Sequence, residues 1–190
     1  QLHMLANEMN PARHWGEKAI ALATILQDTE ILSHALNNVG SARVAASDRQ
    51  GLADLERSLA LALDANLQEH AARAYTNLAT TAMGQDDLAT ADRYLAEGIA
   101  YCEKHELESW IRYMTAARAV TYLRLGQWDR AVDDAQAVIS NPCVTPISKI
   151  QALTVLGLVR ARRGDADADG LLEEALHLAM PTGEMQRIGP

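Results

Sequence analysis

Apolar residues along this chain recur at helical rather than strand spacing, and they do so in paired stretches. ALNNVGSA (35–42) is followed by LADLERSLALAL, AYTNLATTA (74–82) by LATADRYLAEGIAYC, TAARAVTYL (115–123) by RAVDDAQAVI, and LTVLGLVRA (153–161) by LLEEALHLAM. A polar break separates the members of each pair: SDRQG (47–51), GQDD (84–87), GQWD (126–129) and RRGDADADG (162–170). Each first stretch centres on a small residue, Gly40, Ala79, Ala119 or Gly157, and these are spaced 39, 40 and 38 positions apart. The pattern predicts helix–turn–helix units with a period near 40, the signature of a solenoid in which each hairpin buries its apolar face on a neighbour.

Small residues at the centre of the pattern have a packing meaning. Ala91 and Ala131 fall where the second helix of a unit crosses the first, and small side chains there let two helices approach closely. A larger residue would overpack the crossing by roughly 1–3 kcal/mol. Asp129 is the expected N-cap of the helix after GQWD, with Trp128 covering the bend as a packing residue. Thr145 and Pro146 are the expected N-cap and first residue of another helix, after the loop Asn141–Val144.

These motifs resemble the tetratricopeptide repeat. The second unit supplies Tyr75, Leu78-Ala79, Ala82, Ala91, Leu95 and Gly98; the third Ala119, Tyr122, GQWD and Ala131; the fourth Leu153, Leu156-Gly157 and Pro181. The first unit departs with Arg43 at an aromatic position, the fourth has a lengthened DADADG turn, and the period exceeds the family's usual one. The resemblance implies an all-α, right-handed α-solenoid of antiparallel hairpins. Units are expected at about 31–67, 68–107, 108–143 and 144–181 within one superhelical domain, with a partial unit at 1–30 and a connector at 182–190. In the partial unit, 16–28 reads as a second helix whose partner survives only as Gln1–Leu5. Neither end carries a capping pattern, so the chain reads as a piece of a longer superhelix, or as one ordered over only part of its length, and its bare ends can pair into a homodimer.

Four stretches, HWGEKAIALATILQDTEILSHALNNVGSA, EHAARAYTNLATTAM, ADRYLAEGIAYCEKHELESW and TGEMQRIGP, are similar to the helical-repeat region of large ATP-binding LuxR-type bacterial transcription regulators. In that family an ATPase domain precedes the array and a DNA-binding helix-turn-helix follows it. No GxxxxGK[ST] phosphate loop and no recognition-helix pattern occurs in this sequence. The resemblance therefore implies a regulatory arm that binds a protein, a peptide or other domains of its parent chain.

Composition supports the helical reading and narrows the function. The 34 alanines and 25 leucines, against no phenylalanine and 4% aromatics, favour helix over strand. No apolar run reaches the roughly 18 residues of a bilayer span, and a cytoplasmic location without membrane contact is expected. A net charge of −8 argues against direct nucleic-acid contact, and Arg160, Arg162 and Arg163 read as a solvated helix C-terminus. Cys102 and Cys143 are expected as buried or partly buried free thiols.

Catalytic and metal chemistry find little footing. Cys102 and His105 share a helix face but do not make a zinc site. The pairs Asp86-Asp87, Asp133-Asp134 and Glu173-Glu174 diverge by about 100° on a helix. DADADG lacks the distal glutamate of a calcium loop. No enzymatic activity, cofactor or metal is expected.

The candidate site is instead a groove lined by the first helix of each unit. Register with the repeat family places Asn37 and Ser41 from the first unit there, then Arg73, Thr76 and Thr80 from the second. Tyr113 and Ala116 follow from the third, and Gln151 and Thr154 from the fourth. Amides, hydroxyls and one arginine suit hydrogen bonding to a peptide backbone or a polyol, and differ from the lysine-rich carboxylate clamp of chaperone-binding repeats. The competing readings are small-molecule sensing in the groove, a purely architectural scaffold, and solvent-facing positions of no function.

Overall fold

The computed structural model describes residues 8–183, and all regular structure among them is helical. Nine α-helices follow in order: α1 Met9–Leu26, α2 Thr29–Ala45, α3 Gln50–Asp64, α4 Gln68–Gly84, α5 Leu88–Lys104, α6 Glu108–Arg124, α7 Trp128–Ile139, α8 Pro146–Arg163 and α9 Ala168–Ala179. A 3₁₀ turn, Met180–Thr182, ends the last of them. Gln1–Leu5, and most of the connector expected at 182–190, lie outside the described residues. The helices group into two compact units that divide between His105 and Glu106.

Through the first three hairpins the turns repeat as regularly as the helices. Left-handed backbone occurs at Ser47, Asp86 and Gly126 between first and second helices, and at Gln27, Asn66 and Glu106 between second and first. Both series advance by 39 and then 40 residues. Five of these six are not glycine, although the left-handed region costs such a residue roughly 1–2 kcal/mol. A hairpin closed on both sides by packed helices holds that conformation in place. Side-chain caps start several helices: Asp28 accepts from the Ile31 amide at 2.9 Å, Asp87 from Thr90 at 3.1 Å and Thr145 from Ser148 at 3.3 Å, with Pro146 following as expected.

One capping expectation is corrected. Gln127, not Asp129, stands at the cap of α7, and Asp129 is the second residue of the helix. The tetrapeptides GQDD and GQWD look equivalent but are offset by two positions. Gly126 takes the left-handed place of Asp86, so Gln127 inherits the place of Asp87. Asp129 instead receives a 2.7 Å hydrogen bond from Arg163 on α8.

In the first unit, Leu36, Val39, Leu55, Leu78 and Leu95 are fully buried among alanines. At the α2–α3 crossing backbone meets backbone closely. A methyl group added to Gly40 would lie 2.8 Å from the Gly51 carbonyl oxygen, and one added to Gly51 would lie 2.6 Å from that of Gly40. Beside this crossing Arg43, at the aromatic position of the repeat, pairs with the buried carboxylate of Asp54 and with Glu17. In the second unit Ala119, Tyr122, Ala131, Ala135, Val138, Val155 and Leu156 form one core, and Trp128 packs against it half-buried. Ala131 is inaccessible to solvent, so leucine has no room there.

Candidate functional site

Two first helices of the first unit, α2 and α4, pack side by side and share a polar seam. Asn77 of α4 donates through Nδ2 to Oδ1 of Asn37 on α2 at 3.2 Å. The rings of His34 (α2) and His70 (α4) meet edge to face, 5.3 Å between centroids. His70 Nε2 lies 3.4 Å from a carboxylate oxygen of Glu30. These links join residues that are 36 to 40 positions apart in sequence.

Several buried polar atoms of these two helices have no hydrogen-bond partner among the described residues: His34 Nδ1, His70 Nδ1, Asn37 Nδ2 and Asn38 Oδ1. Asn37 and Asn38 are only 1% and 5% exposed. Native proteins pair nearly all such groups, because leaving one unpaired costs roughly 1–3 kcal/mol. Burial, then the nearby positive charge of Arg73, then His70 hold His34 below the ordinary imidazole range, while Glu30 pulls it the other way. His34 is therefore neutral at pH 7.

The expected groove residues divide between the two units. Asn37 and Ser41 on α2 and Arg73, Thr76 and Thr80 on α4 all belong to the first unit. Tyr113 on α6 and Gln151 and Thr154 on α8 belong to the second. Asn37 and Thr76 are buried, Thr80 is exposed, and the rest are half-buried; Ala116 is fully buried. Four hydroxyls are spent on their own helices: Ser41 donates to the Asn37 carbonyl, Thr76 to Ala72, Thr80 to Thr76 and Thr154 to Ile150, each at 2.9 Å. Such back-bonds leave the oxygen lone pairs but no proton for a ligand. The nitrogen-bearing side chains thus carry the seam's donor capacity.

His34, Asn38, His70 and Asn77 were missed by sequence reasoning. A signal for three of them existed. His34 stands six residues before Gly40, as Arg73 does before Ala79, and Asn38 and Asn77 both stand two before the small residue. Nothing in the periodicity marks His70.

In the second unit an open cleft of about 190 Å³ is lined by Arg118, Tyr122, Arg130, Asp133 and Asp134. There Arg118 donates twice to Asp134, at 2.7 and 2.9 Å, and Arg130 stacks 3.9 Å over the Tyr122 ring. Cys102 is buried and its thiol is pushed up to about 11, chiefly by burial. Cys143, expected as at least partly buried, is exposed: Pro142 and Cys143 form a turn projecting before α8. Among the described residues no helix is long and apolar enough to cross a membrane.

No protein-family model and no curated protein matches the chain. Solved structures do. BtubC (BKLC) from P. vanneervenii is similar over 96% of this chain and 77% of its own, with a TM-score of 0.75 and 17% identity. A kinesin light chain-like protein of Podosopora anserina with nearly identical TPR-like repeats is similar over 95% of this chain and 91% of its own, with a TM-score of 0.68 and 17% identity. A point variant of the same protein gives 0.69 over the same shares. Together with the recurring hairpins and turns, these likenesses place the chain in the all-α helical-repeat class, with a TPR-like fold.

Proposed function

We propose that this chain is a non-enzymatic interaction module that binds an extended peptide segment along the α2–α4 face. The observation that carries the reading is the polar seam between the two first helices, where the side chains of His34, His70 and Asn77 are half-buried and so within reach of a docked segment. An extended backbone offers carbonyl and N–H groups in alternation and can satisfy donors and acceptors of this kind together. Arg73 at the same face adds a cation for a polar or acidic side chain. On the resemblance of its longer stretches, the parent is a LuxR-type bacterial regulator, and the module is its cytoplasmic regulatory arm.

The test is a peptide selected by display against the whole chain, followed by titration of wild type and an Arg73→Ala/Asn77→Ala variant. Losing one charged and one neutral hydrogen-bonding group is expected to weaken binding by about tenfold or more. Undiminished affinity in the double variant would remove the seam from the binding surface.

A scaffold role is favoured by a different observation. Leu22, Ile25 and Leu26 on α1 and Ile31 on α2 are 57%, 77%, 64% and 49% exposed. Exposed apolar residues in such number mark association surfaces, and a second copy of the chain is the occupant this reading names. Sedimentation of an Ile25→Glu/Leu26→Lys variant tests it: a dimer that becomes a monomer supports the scaffold, and an unchanged state excludes this face.

A further inference from the structure

We propose that the His34–His70 pair makes the α2–α4 seam acid-labile, so that the polar face is intact near neutral pH and loosens as the medium acidifies. The inference needs no ligand and stands whether or not a peptide binds there.

The geometry supplies an asymmetry. Charged His70 would have an anion beside it, Glu30 at 3.4 Å. Charged His34 would have none in hydrogen-bonding contact among the described residues: its Nδ1 is buried without a partner there, its ring meets His70 edge to face, and Arg73 stands near it. Among the described residues the charges that act on His34 are Glu30 on its own helix and His70 and Arg73 on α4; no described residue of α1 or α3 adds another. Protonating the seam therefore places like charges across the α2–α4 contact, where low exposure weakens solvent screening.

The sign follows from proton linkage. A histidine held below its ordinary value is charged more readily when the chain is open than when it is folded. Acid thus favours the open form, beginning near the unfolded value of about 6.5 and levelling off below the folded one. Stability of the seam is complete above that range and is lost as pH falls through it.

The experiment is NMR of the full chain between pH 8 and 5, following the imidazole C2–H signals and the amides of α2, α4 and α8, with thermal unfolding at each pH. His34 is expected to titrate below an ordinary histidine, and α2 and α4 amides are expected to shift with its midpoint while those of α8 do not. Arg73→Gln is expected to move that midpoint upward. His34→Gln is expected to flatten the fall in unfolding temperature on acidification. An ordinary His34 titration unaccompanied by α2 and α4 shifts would overturn the proposal, as would an unaltered pH slope in His34→Gln. The wild-type titration decides the matter even where a variant fails to fold.

Discussion

Gly40 and Gly84 both lie in helices of the first unit, and the same substitution is expected to act on them in opposite directions. Glycine to alanine in a helix interior is ordinarily favourable by about 1 kcal/mol, because alanine restricts the unfolded chain and suits the helix. At Gly40 the new methyl group meets the Gly51 carbonyl oxygen at 2.8 Å, Leu55 Cγ at 2.9 Å and the Leu55 amide nitrogen at 3.1 Å. Two of those atoms are backbone, so relief requires α3 to move as a body. Overpacking of this kind costs roughly 1–3 kcal/mol, which leaves Gly40→Ala roughly 0–2 kcal/mol less stable than wild type once the helix gain is subtracted. At Gly84 nothing lies within 4 Å of the added methyl group. Gly84 ends α4, so Gly84→Ala retains only part of the gain and is neutral to about 1 kcal/mol stabilising. Urea unfolding of both variants beside wild type measures the gap, and thermal unfolding should separate them by about 2–4 °C for each kcal/mol. If Gly40→Ala is as stable as Gly84→Ala, the close α2–α3 crossing is wrong.

Ala131→Leu is expected to cost roughly 1–3 kcal/mol by overpacking the second core, read from its urea midpoint. Arg43→Met strips the partner from Asp54, whose side chain is 9% exposed. Breaking a buried pair from one side costs about 3–5 kcal/mol, less here because Arg43 keeps some exposure, and Arg43→Met/Asp54→Leu is expected to recover most of the loss in the same assay. Thr145→Ala removes the cap of α8 and is expected to cost about 1 kcal/mol in thermal unfolding. With a thiol reagent at pH 8, native protein is expected to react at exposed Cys143 alone, and Cys102, buried and raised to about 11, only after denaturation; prompt labelling of both would place Cys102 outside the core.

The hairpins were legible because their signal is distributed: Gly40, Ala79, Ala119 and Gly157 each mark a crossing, and helical periodicity brackets every one. Local chemistry misled where two similar strings sat in different registers. GQDD and GQWD share three letters, yet glycine at 126 can adopt the left-handed turn itself, which moves the cap from the expected Asp129 to Gln127. Cys143 was misjudged because burial of cysteine is an average tendency, and a proline-containing turn overrides it. Of the polar seam, Asn37 and Arg73 followed from register. His70 did not, since the contact that matters, His34 to His70, joins neighbouring first helices through three-dimensional packing that no single-helix pattern encodes.

Hydrogen–deuterium exchange of the whole chain, with and without a display-selected peptide at saturation, tests the central claim most directly. Added protection is expected on α2 and α4, concentrated between His34 and Ser41 and between His70 and Thr80, with α3 unchanged. Protection confined to α3 and α5, leaving the seam as it was, would contradict the assignment of the polar face as the docking surface.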